Sequence, residues 1–483
     1  MLLRSTLVTL FACLLCATSY TQDNWSLEKC IQYAQQNSLS MKQAQYGIKD
    51  AELVNKQSKY ERLPSLNAST NAGYQFGRTI DPTTNTFNTE RIGFNSFSLN
   101  TNAVLYAGNQ INNSIKQSKL DLEASKLDAD FAANNIALNV AAAYLSILLA
   151  EEQLENAKKN LEQSQDQLEQ TDKLIQAGSL PQNDRLDFVA QVALNEQLII
   201  EAQNAVDINY LNLKQLLELD PKEDLKIDRP AVTIPAYANP SAYSLNEIYT
   251  NALGTQPQIK AGDRRLESAI LGESIMKASM LPSLVIFGSL NANYSSAFLD
   301  FENADFSEAE LVPESFARPV LVGEQLVTVT EFEWVGITIP RKSWADQLSE
   351  TFGQSIGLSL SVPIYNKHRN KVNLERARLN TLNQEVINQQ ARQQLKTDIQ
   401  RAIADARAAQ ESLEASQISL QAAQAAFDNA QRKFDLGTIN TLEYTTARNT
   451  LDRAQLDLIQ AKYRYLFFVK TVEFYQGKVL TLD

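Results

Sequence analysis

Little in this sequence suits an enzyme or a disulfide-stapled domain. It has one histidine, His368, and three cysteines in 483 residues. Cys13 and Cys16 fall in an N-terminal leader, so Cys30 stands alone and no intrachain disulfide is available. A zinc site or a histidine-activated nucleophile needs more ligands, or a base near a nucleophile. The chain is therefore expected to be no enzyme and to carry no metal or cofactor. His368 reads as a solvated residue and Cys30 as a small apolar helix residue. Glycine (16) and proline (13) are scarce for a chain rich in tight turns. Basic charge is in deficit, 44 Lys and Arg against 56 Asp and Glu, a net of −12. Nucleic acid is thereby a poor partner. Outside the leader no apolar run of about 18 residues is seen, so no membrane-crossing helix is expected.

The leader, residues 1–21, reads as a secretory signal. Arg4 gives the positive start, Leu7–Cys16 is a short apolar run, and Ala17, Ser19 and Thr21 are small. Leu15 stands where a lipidation site needs a small residue, which favours simple cleavage over lipidation of Cys16.

What the chain does contain is periodicity. Val140, Ile147, Leu154, Leu161, Leu168 and Ile175 recur every seven residues and end at Gly178 and Pro181. Ile399, Ala406, Leu413, Leu420, Phe427 and Phe434 do the same and end at Gly437. The two series differ throughout by 259 (399 − 140, 434 − 175). A seven-residue apolar seam marks a long helix in a left-handed coil, and two seams in step mark a duplication rather than a chance coiled coil. Two earlier landmarks repeat at an offset of 218, Leu27 with Leu245 and Pro64 with Pro282.

Four segments alternate apolar with small polar residues, the pattern of strands. They are 66–77, 96–105, 284–295 and 355–364; in the last, Ile356, Leu358, Leu360, Val362 and Ile364 alternate with Ser355, Gly357, Ser359 and Ser361. About ten such residues span a bilayer as a tilted strand. The same pattern fits a half-buried sheet of a soluble domain, but secretion and the want of any other core-forming sheet favour the membrane. Four strands cannot close a barrel and an open edge is not tolerated in lipid, so two, three or four copies must combine into 8, 12 or 16 strands. Tyr74, Phe76, Phe94, Tyr106, Tyr294 and Tyr365 stand near strand ends, at the interfaces or inside the barrel.

The reading is a mixed α and β membrane protein. Repeat one is 22–220, with helices 26–60, 107–177 and 182–219 and strands 66–77 and 96–105. A linker, 221–240, follows. Repeat two is 241–483, with helices 244–278, 366–436 and 441–477 and strands 284–295 and 355–364. The step from 218 to 259 places 41 extra residues within 296–354. Asp300–Glu310 there is acidic and Gln325–Ile339 has the pattern of a hairpin; the whole reads as an extended surface loop. The long helix 107–177 would measure about 105 Å.

This layout resembles the TolC-type outer-membrane efflux channels over almost all of the mature chain. The resemblance is carried by both LPSL entries (63–66 and 281–284), the exit SLSVPIYNKHRN, and the turns AGSLPQNDRLD and LGTINTLEYTTARN. It implies a homotrimer in outer-membrane lipid, with a 12-stranded barrel and an α-helical tunnel through the periplasm. It also implies a periplasmic adaptor and an inner-membrane pump of RND, ABC or MFS type. The function implied is a passive exit duct for efflux or type I secretion. The readings set against it are a periplasmic coiled-coil adaptor or scaffold and a secreted helical pore-forming toxin. Neither asks for four duplicated alternating segments.

The resemblance also suggests a gate. Acidic residues near the second turn ring the family's entrance. Glu443 matches one such position, and Thr446 stands at the next where the family has an acid. Three Glu443 carboxylates on a threefold axis would repel one another and draw cations; an acid at a helix start is also simply favourable. Asp184 and Asp187 lie just past the first turn, and Asp184 matches an acidic partner position. Tyr and Arg flank the second glycine in the family; here Phe434 and Ile439 do, so an apolar contact stands in for polar links. Gly178–Ser179 and Gly437–Thr438 resemble the tips that meet the adaptor, glycine allowing close backbone approach.

Overall fold

The computed structural model describes residues 24–80, 85, 87–89, 91–179, 181–230, 240–313, 318–323, 325–329, 332–478 and 480–481. The leader, Cys13, Cys16 and most of the second half of the 221–240 linker lie outside them. The chain divides into two compact units: Met1–Asn55, Lys116–Leu271 and Arg378–Asp483 form one, Lys56–Ile115 and Gly272–Ala377 the other.

The chain enters through α1 (Leu27–Asn37) and α2 (Leu39–Tyr60), then β1 (Ser65–Gln75), β2 (Thr79–Ile80), β3 (Phe87–Asn88) and β4 (Ile92–Tyr106). Next come α3 (Gln110–Gln176), α4 (Asp184–Leu216), α5 (Leu245–Thr255) and α6 (Pro257–Ala278). β5 (Ser283–Ser295) precedes β6 (Glu310–Pro313), β7 (Arg318–Val322), β8 (Gln325–Val329) and β9 (Phe332–Val335). The chain closes with α7 (Trp344–Glu350), β10 (Gly353–Ser361), α8 (Arg369–Asp435) and α9 (Thr441–Tyr475). α3 and α8 have 67 residues each, roughly 100 Å of helix.

The expected helices 26–60 and 244–278 are each two helices. Ser38 ends α1 by donating its N–H to the Ala34 carbonyl (2.9 Å) and opens α2 by accepting the Met41 N–H on its hydroxyl (3.2 Å). Gln256 precedes Pro257; proline drives the residue before it out of helical space and itself suits a helix's first position.

In the first unit the core gathers on the middle of α3. Val140, Tyr144 and Ile147 are buried against Leu27 and Cys30 of α1, Leu213 of α4 and Leu466 of α9. The Tyr144 hydroxyl is shared between the carbonyls of Trp25 (3.1 Å) and Asp228 (2.7 Å). This pins part of the expected linker as a strap, with Leu225 and Ile227 in the core. α5, α6, α8 and α9 build a second core from Ile248, Ile259, Leu395, Ile399 and Val472. Against expectation, α3 holds one window long and apolar enough, by length and composition, to cross a membrane. The apolar residues of 140–148 that raise it are those the bundle core requires.

Cys30 is 0% exposed, and burial pushes its thiol up to about 12. Thiolate is the reactive form. A maleimide at neutral pH is therefore expected to leave Cys30 unlabelled in folded protein and to label it fully in denaturant; fast labelling of native protein would contradict this packing.

The second unit is built on a four-stranded antiparallel sheet in the order β1-β4-β5-β10, with β1 and β10 at its edges. Its strands hold no Asp, Glu, Lys, Arg or His. The register sorts its faces. Ala68, Leu99, Leu290 and Phe97 share one with Ile356, Leu358 and Leu360; Ser69, Ser98, Asn291, Ser289 and Ser355 share the other. Hydroxyl pairs knit the polar face, Ser69 with Ser98 (2.7 Å) and Ser289 with Ser355 (2.8 Å).

Residues 296–354 are not a plain loop. The segment holds the antiparallel bridges Leu299–Arg341 and Asp305–Thr338 and two separate antiparallel ladders, β6–β9 and β7–β8. The expected hairpin 325–339 is thus split, since β8 pairs back to β7 and β9 to β6. α7 then returns to the sheet. Gln347, 1% exposed, accepts the Ser295 N–H (2.9 Å), and the Thr351 hydroxyl donates to the Asn293 carbonyl (2.7 Å). They occupy the edge of β5 where β10 does not reach.

Candidate functional site

The two helix turns are built alike. After α3, Gly178 (φ +71°) donates to the Ile175 carbonyl and Ser179 to Leu174, both at 2.9 Å. After α8, Gly437 (φ +67°) donates to Phe434 (2.8 Å) and Thr438 to Lys433 (2.9 Å). Each is a Schellman cap, whose left-handed residue suits glycine. A Cβ on either glycine would meet nothing within 4 Å.

Past the first turn Asp184 is half-buried and Asp187 exposed, both in the first turn of α4. Arg185 ties α4 to α3 through Asp172 (2.7 Å). Past the second turn Asn440 caps α9 by accepting the Glu443 N–H (2.8 Å). The side chains of Glu443 and Thr446 are exposed, and the Thr446 hydroxyl donates to the Leu442 carbonyl (2.7 Å). Glu443 thus holds a favourable helix-start position with its side chain exposed.

Phe434 and Ile439 belong to an aromatic knot. Phe434 stacks on Tyr444 (4.9 Å, 30°) and meets Phe188 edge-on (6.0 Å, 66°); Leu168, Phe427 and Ile439 complete it. Phe188 comes from α4, Phe434 from α8 and Tyr444 from α9, so the knot joins both turns. Tyr444 donates to Gln167 on α3 (3.3 Å), and burial pushes its hydroxyl up to about 12.

A polar set one turn further on was missing from the sequence reading. Arg448 on α9 pairs with Asp452 (3.0 Å) and lies over the Phe427 ring (5.3 Å). It also reaches the Gln163 side chain and Asn160 Oδ1 (3.4 Å) on α3. Burial raises the Asp452 carboxyl above its ordinary range despite Arg448. Asn195 of α4 joins by donating to the Asn160 carbonyl (3.2 Å) and Ser164 Oγ (3.0 Å). The i, i+4 spacing of Arg448 and Asp452 was the only sequence signal, and exposed helix pairs share it.

His368 is exposed beside Tyr365 at φ +63°. Among the described residues no group of three or more His, Cys, Asp or Glu is placed to hold a metal ion.

A sequence profile of outer membrane efflux proteins matches residues 30–218 and 341–474, more than half of the chain. No curated protein matches. Solved structures that share the fold include three outer-membrane proteins. One is CusC (TM-score 0.74, 16% identity), covering 96% of this chain and 96% of that one. Another is the outer membrane protein VceC of Vibrio cholerae (0.71, 16%; 93% and 96%). The third is the Campylobacter jejuni CmeC outer membrane channel (0.72, 17%; 95% and 90%). The chain belongs to the outer membrane efflux protein family, and its place is the outer membrane.

Proposed function

We propose that three copies of this chain form the exit duct of a tripartite efflux or type I secretion system. The observation that carries this is the sheet, charge-free, apolar on one face and unpaired at both edges. In lipid such edges must be closed, and three copies supply twelve strands. The internal repeat is supported by α3 and α8, equal in length and offset by 259 at both ends (369 − 110, 435 − 176). The helices continue the duct as a periplasmic tunnel, and the energy comes from an inner-membrane pump. An adaptor or toxin would have no use for such a sheet.

The turns serve two roles. The open backbones at Gly178–Ser179 and Gly437–Thr438 receive the adaptor, and Glu443 forms the acidic ring, with Thr446, Asp184 and Asp187 lining the approach. Phe434 and Ile439 hold the entrance shut by apolar contact. Detergent-purified protein is expected to weigh three chains and to give stepwise conductance in planar bilayers; a monomer without conductance overturns the reading. In the same recordings Glu443→Gln is expected to weaken cation preference and divalent-cation block severalfold, and unchanged traces would remove the ring. Bulky residues at both Gly178 and Gly437 are expected to abolish export while folded trimers persist.

A further inference from the structure

The segment between β5 and β10 is the part of the chain that a duct leaves unused. It joins two strand ends on one side of the sheet. On the other side every strand meets a helix: α2 leads into β1, β4 into α3, α6 into β5 and β10 into α8. With the helices in the periplasm, as proposed above, the segment faces the outside of the cell.

Its charge sets it apart. Residues 300–339 hold nine Asp and Glu and one basic residue, Arg318, a net of −8 (1 − 9) against −12 for the whole chain. The equivalent loop of repeat one, 76–91, has two acids, Asp81 and Glu90, and two bases, Arg78 and Arg91. The acidity therefore belongs to the insertion and not to this end of the sheet in general.

Its apolar side chains are displayed, not packed. In the β6–β9 ladder Leu311 stands opposite Trp334, and Pro313 opposite Phe332. Residues two apart on a strand point the same way, so these four make one face wholly apolar. That face is uncovered: Leu311, Phe332 and Trp334 are 47%, 58% and 59% exposed. The other face carries Glu310 and Glu333 beside Val312 and Val335, and both acids are exposed. A two-stranded ladder is at best marginally stable alone in water, and an exposed apolar patch rimmed by charge marks a protein contact.

We propose that this ladder docks a basic polypeptide segment of a different protein at the cell surface. Apolar side chains of that segment cover Trp334 and Phe332, while its Lys or Arg side chains reach round the narrow ladder to Glu310 and Glu333. Charge selects this occupant. A second copy would set another −8 against the first, and an anionic lipid surface is repelled in the same way. A basic segment is steered in by the whole acidic field, and arginine suits carboxylates and aromatic faces alike. The docking presupposes the orientation proposed above, and neither the gate nor the number of copies.

Site-specific photocross-linking in intact cells tests this on the full-length protein. Benzoylphenylalanine replaces Phe332 as the probe. An epitope inserted after Gly323, at the turn between β7 and β8 where a Cβ would meet nothing within 4 Å, reports the orientation. The epitope is expected to be reached by antibody on unbroken cells. One main adduct is expected, on a different protein, mapping to a segment of net positive charge. Glu310→Lys combined with Glu333→Lys, and separately Trp334→Ser, are each expected to lower its yield at least about fivefold, with the amount of protein in the outer membrane unchanged. Adducts to a second copy, to lipid or to a neutral or acidic segment overturn the proposal, as do adducts that either variant leaves intact. With the epitope exposed, absence of any adduct overturns the docking alone. An epitope hidden until the cells are broken overturns the orientation, and with it the duct as proposed.

Discussion

Leu358→Arg is expected to remove the protein from the outer membrane, whereas Ser359→Arg, one residue along, is expected to leave it assembled. Leu358 lies midway along β10 and is 64% exposed on the apolar face, aligned with Ile286. An arginine at the lipid face of a barrel costs about 2–4 kcal/mol near the bilayer midplane. In the proposed trimer that cost is incurred three times. Ser359 is on the opposite face, beside Val285 and among hydroxyl and amide groups. There the new charge meets water, and it acts on ions instead. With no other charge on the sheet, Ser359→Arg is expected to shift the reversal potential toward anions. Outer-membrane fractionation and bilayer recording read the two variants. Normal assembly of Leu358→Arg, or equal loss of both, would mean that the apolar face does not meet lipid.

The features legible in the sequence were those set by period and punctuation. The heptads from Val140 and Ile399 marked α3 and α8, and Gly178 and Gly437 marked where each helix stops, because a left-handed cap needs glycine. Alternation marked the strands, because a pleat repeats every two residues. What escaped was whatever two periodic stretches share. Ser38 interrupts a helix whose apolar phase resumes beyond it, so periodicity alone runs through the break. Gln347 and Thr351 read as ordinary polar residues until the uncovered edge of β5 is seen beside them. The 41 inserted residues carry weak alternation, and their pairing was misassigned because a ribbon's register depends on its distant strand. At the turns, Phe434 and Ile439 were legible as apolar. Phe188 and Tyr444 were not, since a contact among α4, α8 and α9 leaves no mark in any one helix.

Phe188→Ala is expected to loosen both turns at once without disturbing the sheet. Phe188 is 2% exposed, with its ring 6.0 Å from Phe434 and 5.9 Å from Tyr444. Truncating a buried phenylalanine costs about 3–5 kcal/mol, part of it for the cavity left behind. The Phe434–Tyr444 stack remains, and the other links there, Tyr444 to Gln167 and Arg448 to Gln163 and Asn160, are polar. Each contributes about 1 kcal/mol, or somewhat more where charged, so they cannot offset the loss. Trimers are still expected, because the strands are untouched. Trypsin is expected to cut much faster at Lys173, Arg185 and Lys433, which flank the turns, and the open fraction in bilayers is expected to rise. Phe188→Leu keeps most of the volume and is expected to lie near the wild type. If Phe188→Ala resists trypsin and conducts like the wild type, the aromatic knot is packing alone and takes no part in the proposed gate.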